Sequence, residues 1–326
     1  MTSAKDSMRV FVTGATGFVG RYVVRELLAR GCHPVCLVRS PGKLESQHRE
    51  IDPSRYTPIT GGLTDRSVLA AGVTDCDAVI HLVGIIIARR LQGQTFQGVH
   101  VRGTRNVVDA ARSAGVKRYV HMSALGTRPG AVSEYHRSKW EAEEYVRASG
   151  LDWTIFRPSL IHGPDGEFMQ LVKKFVCGMV PPVIPYFGDG QAKLQPVSVK
   201  DVAYCFADAL RRPESVGQVF ELGGPKAYTW LALYDLCKRL IPGSKKWKSW
   251  GRLPVPIAKA AAMLSAPPMA VAELMAPSLG LLRFDVGQVQ MSQEDSVCDP
   301  ATAEKAFEIR MRSFEDELAS YADQIP

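Results

Sequence analysis

The octapeptide Thr13-Gly14-Ala15-Thr16-Gly17-Phe18-Val19-Gly20 narrows the folds open to this chain more than any other stretch. A short apolar run from Met8 to Val12 precedes it. Behind it, Val23, Val24, Leu27 and Leu28 recur at helical spacing within Arg21 to Arg30. The glycines therefore stand where a strand becomes a helix. Gly14 allows the tight turn, Gly17 lets backbone approach a pyrophosphate, and Gly20 lets helix and sheet pack closely. Thr16, Phe18 and Val19 complete the cradle. Unpaired N–H groups and a partial positive charge at the helix N-terminus suit a diphosphate.

Strand and helix patterns then alternate. Pro34 to Val38, Tyr56 to Thr60, Ala78 to Val83, Lys117 to Ser123 and Trp153 to Phe156 read as strands. Val99 to Ala114 and Glu134 to Ser149 read as helices. The pattern predicts an α/β, Rossmann-type, doubly wound parallel sheet over residues 8–158, with ligands at the carboxyl ends of its strands. Residues 159–326 are expected to form a smaller mixed lobe whose segments return to the first domain. Within it, Asp201 to Leu210 reads as a helix and Gly217 to Leu222 as a strand. From Lys245 the texture changes: Lys245, Lys246, Trp247, Lys248, Trp250 and Arg252 form a basic and aromatic cluster. The apolar stretch Val255 to Leu282 follows, and its prolines predict two short helices rather than one membrane span.

Composition excludes several classes. The polar start, Met1 to Ser7, predicts no signal peptide, and seven scattered cysteines suit a reducing, cytoplasmic compartment. Cys32 and Cys36 lack the companions of a metal site, so no metal is expected. A net charge of +7 over 326 residues, without zinc-finger spacing or long basic runs, points away from nucleic acid.

The second strand ends in Val38-Arg39-Ser40, with no acid nearby. An acid there would bond the ribose hydroxyls of NAD, whereas Arg39, helped by Ser40, suits the extra phosphate of NADP(H). Leu63 follows the third strand and borders the adenine; Asp65 either joins it or caps the next helix. Gly84, after the fourth strand, lets backbone approach the cofactor ribose.

Ser123 ends the fifth strand, and Tyr135 and Lys139 lie four apart on one face of the next helix. A phenol ionises near pH 10 and is a poor base, so a lysine ammonium one turn away favours its phenolate. Ser123 would orient a carbonyl while Tyr135 exchanges a proton.

These residues resemble the short-chain dehydrogenase/reductase superfamily, in its extended and atypical branches. The likeness runs from Met8 to about Leu222, through TGATGFVG, His81 to Gly84, Val101 to Ala111, the Ser123–Tyr135–Lys139 set and Phe156 to Pro164. It implies that Tyr135 and Lys139 also touch the cofactor, and that Pro158, Ser159 and Ile161 line the nicotinamide. His121 to Gly130, Gln195 to Ala203 and Asp285 to Val297 look most like NAD(P)H-binding accessory subunits of respiratory complex I and their bacterial relatives. One departure stands out: His100 occupies a place where extended members commonly carry asparagine. His81, His121 and His162 suggest no site of their own.

Three functional readings follow. The intact Ser–Tyr–Lys set favours an NADP(H)-binding oxidoreductase acting on a carbonyl, alcohol or quinone-like small molecule. The accessory-subunit resemblance offers a non-catalytic NADPH-binding accessory or assembly protein, peripheral to the inner membrane through Lys245–Leu282 and a respiratory-complex or membrane-surface partner. Sugar-nucleotide epimerase or dehydratase work is the third.

Overall fold

Val10 and Val12 enter one apolar layer with Val23, Val24 and Leu27, while Phe11 enters another with Val79, Val107 and Tyr119. Side chains alternate across a strand, so a strand apolar at every position must be covered on both faces. That requirement selects the architecture. The computed structural model describes residues 7–179, 182–264 and 284–326. Its central sheet contains β1 (Arg9–Thr13), β2 (His33–Val38), β3 (Thr57–Thr60), β4 (Ala78–His81), β5 (Arg118–Met122), β6 (Asp152–Pro158) and a seventh strand, Gln218–Leu222. The spatial order is seventh, β6, β5, β4, β1, β2, β3, and every neighbouring pair is parallel. The order reverses between β1 and β4, which opens a crevice at their carboxyl ends. This is the doubly wound sheet that the alternating pattern predicts.

One face is covered by the helices Phe18–Ala29, Val199–Ala209 and Ala301–Phe307. Phe307 closes that layer near the chain end, its ring 5.3 Å from Phe156 and 4.9 Å from Phe220. The opposite face carries Arg66–Val73, Gly103–Ser113 and Glu134–Arg147. Each fully buried valine or leucine in these layers contributes about 2 kcal/mol. A separate apolar cluster of Met169, Val172, Ile184, Leu233, Phe314 and Leu318 holds the segments that lie beyond the sheet's carboxyl edge. The chain leaves the sheet after Pro158, builds part of that cluster, and returns as the seventh strand beside β6.

Two local outcomes differ from expectation. The helix expected from Val99 opens instead with a π-helical turn, Gln97–Arg102, before regular helix begins at Gly103. Apolar periodicity is nearly the same for both, so the wider turn leaves no clear mark in the sequence. The basic and aromatic cluster is also only partly a surface. Lys248 is buried, and its ammonium donates to the carbonyls of Phe175 and Gly178, closing the end of the helix Glu167–Cys177. Trp250 is half-buried, stacked on Tyr234 at 6.4 Å, in a short strand paired with Ile184–Phe187. Lys246 and Trp247 remain exposed. Residues 255–264 are helical, and the rest of the apolar stretch lies outside the described residues. Among the described residues, no helix is long and apolar enough to cross a membrane.

Candidate active site

Gly14 adopts φ +77°, a left-handed conformation that favours glycine, and its carbonyl accepts the Gly17 N–H at 2.9 Å. The helix Phe18–Ala29 starts there with Gly17 as N-cap, no side-chain cap and no acid in the first turn. A Cβ on Gly20 would lie 2.0 Å from the Gly14 oxygen, so the helix can approach its own turn only with glycine there. An uncapped, acid-free helix start with tight glycine clearance fits a dinucleotide diphosphate. Phe18 reaches across to Gly163 and Gly166, where added Cβ atoms would meet its ring at 3.0 Å. Arg21 pairs with Asp165, and Tyr22 Oη donates to it at 3.2 Å, drawing the segment after β6 over the glycine turn.

At the end of β2, Arg39 and Ser40 are exposed, and the Ser40 hydroxyl makes no capping bond to the helix behind it. Leu63 lies against Gly103, and its carbonyl accepts from Asn106 Nδ2 at 2.8 Å. Asp65 takes the capping role, accepting from Val68 N at 3.1 Å and Ser67 Oγ at 2.8 Å.

Ser123 follows β5, held by its N–H to the Phe156 carbonyl at 2.7 Å. Its buried hydroxyl donates to Thr127 Oγ1 at 3.3 Å, a partner that sequence reading missed. Lys139 is buried, and its Nζ donates to the Met122 carbonyl at 2.9 Å. A Cβ on Gly84 would stand 3.0 Å from the same Nζ, so β4, β5 and the Tyr–Lys helix converge on one point. Burial pulls the Lys139 ammonium down to about 8, partly offset by Glu143 one turn along. Burial also pushes the Tyr135 phenol up to about 12, opposite to the pull expected from the lysine. In the ligand-free protein, lost hydration is what sets the shift of the phenol.

Pro158 ends β6 and accepts the Leu125 N–H at 2.9 Å. Ser159 turns its hydroxyl to Ser296, at 3.1 Å from both its carbonyl and its Oγ. Ile161 lies in a two-residue strand paired with Val197. Of the histidines, His81 joins Thr13 Oγ1 at 2.6 Å to Thr104 Oγ1 at 3.1 Å, tying β1 to the helix after the π turn. His121 stacks on it at 5.4 Å. His162 is buried with Phe314, and its Nδ1 lies 3.0 Å from Tyr321 Oη. His100 is buried between the Ile85 amide and Ser138, 5.5 Å from the Tyr135 ring.

A family model described as NAD(P)H-binding matches residues 14–213, which contain both the glycine turn and the Ser–Tyr–Lys set. The chain belongs to this NAD(P)H-binding family. A ceramide reductase of Caulobacter vibrioides is 34% identical over 224 residues, covering 68% of this family member and 67% of the relative. Subunit 9 of the NADH dehydrogenase [ubiquinone] 1 alpha subcomplex of Arabidopsis thaliana is 31% identical over 262 residues. That alignment covers 77% of this chain but 61% of the plant subunit, so the chain spans about three fifths of its length. Among solved structures, a UDP-glucose 4-epimerase from Thermotoga maritima superposes with a TM-score of 0.72 at 18% identity, covering 97% of this chain and 98% of that one. The last likeness concerns the fold. The resemblance to short-chain dehydrogenases and to complex I accessory subunits is thereby borne out.

Proposed function

We propose that this NAD(P)H-binding protein is an NADP(H)-dependent reductase of a carbonyl or quinone-like substrate. The observation that carries the reading is the convergence of Ser123, Lys139 and the glycine turn at the carboxyl ends of β1, β4 and β5, with Tyr135 one turn before Lys139 on the same helix. A phenol that keeps its proton is the form a reductase needs at rest. NADPH, when bound, supplies the hydride. Tyr135 gives its Oη proton to the carbonyl oxygen, Ser123 Oγ orients that oxygen, and the Lys139 ammonium stabilises the phenolate left behind. Arg39 and Ser40 hold the 2′-phosphate, the glycine turn holds the diphosphate, and Leu63, Gly84, Pro158, Ser159 and Ile161 border the remainder. The ceramide reductase relative supports an apolar carbonyl substrate.

Y135F in the full chain tests the assignment, with loss of NADPH absorbance followed against aldehydes, ketones and quinones. The rate should fall about 100-fold or more while NADPH affinity holds. An unchanged rate on a true substrate removes Tyr135 from the chemistry.

The plant complex I subunit relative and the exposed Lys246–Trp247 pair support a second reading. In it, the protein is an NADPH-binding accessory or assembly factor at an inner-membrane surface, and NADPH stays reduced under every challenge.

A further inference from the structure

Backbone amides only donate, so the Ile85 N–H, 3.0 Å from His100 Nε2, identifies that nitrogen as an unprotonated acceptor. The ring proton of the neutral imidazole therefore sits on Nδ1, which faces Ser138 Oγ at 2.8 Å and donates to it. The Ser138 hydroxyl in turn donates to the Tyr135 carbonyl at 2.8 Å. The direction of every bond is settled by the first. The ring is almost fully buried, and both of its nitrogens are used. Lys139 and His81 lie close enough to oppose a charge on it, so the neutral form is the one the site accepts.

The two ends of this chain of bonds matter. One is the loop immediately after Gly84, whose backbone runs against Lys139 Nζ. The other is the first turn of the helix bearing Tyr135 and Lys139. The π-helical turn Gln97–Arg102 carries His100 between them, and its ring meets Tyr135 edge-on at 5.5 Å.

We propose that His100 is a positioning residue: locked with its proton on Nδ1, it sets the register of the Gly84–Ile85 loop against the Tyr135–Lys139 helix. The proposal rests on the cofactor reading above, because that register fixes where the dinucleotide meets the phenol. A leucine in its place fills similar space but leaves the Ile85 amide without its acceptor and the Ser138 oxygen without the ring donor. A glutamine can accept from one and donate to the other.

Two measurements on the full chain decide it. Long-range proton–nitrogen spectra of the 15N-labelled protein at neutral pH, assigned by comparison with H100Q, should show a neutral His100 ring protonated on Nδ1. A proton on Nε2, or an averaged mixture, overturns the proposal. NADPH titration should show H100L weakened about tenfold and H100Q restored to within about threefold of the parent, both in folded protein. Equal affinity of parent and H100L overturns the proposal even if H100L melts earlier, since that marks a merely structural ring. Should H100L fail to fold, S138A removes the acceptor of the Nδ1 proton, together with the Ser138 bond to the Tyr135 carbonyl, and should weaken NADPH binding in the same direction; unchanged affinity in S138A counts against the proposal. A parent that binds no dinucleotide defeats the cofactor reading, while the nitrogen spectra still judge His100.

Discussion

Arg157 on β6 grips Glu143 on the Tyr–Lys helix with two parallel bonds, Nε to Oε1 at 2.9 Å and Nη2 to Oε2 at 2.7 Å. The carboxylate is fully buried, and Arg147 Nη2 adds a third bond at 2.6 Å. Glu143 sits one turn beyond Lys139, so the helix that carries the proposed proton donor is pinned to the sheet by a buried, doubly paired charge. E143A strips Arg157 of its bidentate partner, leaving it Glu221 at 3.8 Å, and leaves Arg147 only Glu144 at 2.7 Å, so it should cost about 3 kcal/mol in urea unfolding. A loss below about 1 kcal/mol means the pair relaxes to solvent.

Gly20 sets two effects against each other. Alanine is favoured over glycine inside a helix by about 1 kcal/mol. The new Cβ, however, would lie 2.0 Å from a backbone oxygen of the glycine turn, which has no free rotor to move aside. Overpacking should win, and G20A is expected to lose at least about 2 kcal/mol and to bind dinucleotide more weakly. Chemical denaturation with a parallel NADPH titration measures both, and a stabilised G20A contradicts the packing described here.

Lys139 makes stability depend on alkaline pH. Its buried ammonium titrates at about 8 in the folded chain, against roughly 10.4 when unfolded. Between those values the unfolded state holds the proton more firmly, so this group's contribution rises as pH climbs and is flat below 8. Buried thiols such as Cys36, pushed up to about 12, act in the opposite sense, so the comparison with K139M isolates the lysine. From pH 8 to 10 the parent should gain about 2–3 kcal/mol relative to K139M. Parallel urea midpoints across that range place the lysine outside the core.

Arg39 offers a test of cofactor choice. A guanidinium gains from a 2′-phosphate but has little to offer ribose hydroxyls. R39A should weaken NADPH roughly tenfold or more and leave NADH nearly unchanged, read by calorimetry. Equal losses for both dinucleotides assign Arg39 to the adenosine in general.

Strand positions were legible because Val10, Phe11 and Val12, or Val79 and Ile80, are apolar on successive residues, which only a sheet covered on both faces accommodates. The glycine turn was equally plain, since Gly14 and Gly20 answer to backbone geometry where the turn meets the first turns of its helix. Asp65 was ambiguous in the chain and became a helix cap in the fold. Lys248 carries no sequence mark that separates it from Lys246, yet one is buried against two carbonyls and the other is exposed, donating to the Lys238 carbonyl alone.

Local order along the chain thus settles period, turn chemistry and the spacing of Tyr135 to Lys139, because each depends on neighbours a few residues away. The tautomer of His100, the pairing of Glu143 with Arg157 and the direction in which Tyr135 is shifted depend on groups brought together from separate segments. Hydration lost on packing and the reach of a single hydrogen bond set all three, and both come into being when those segments meet.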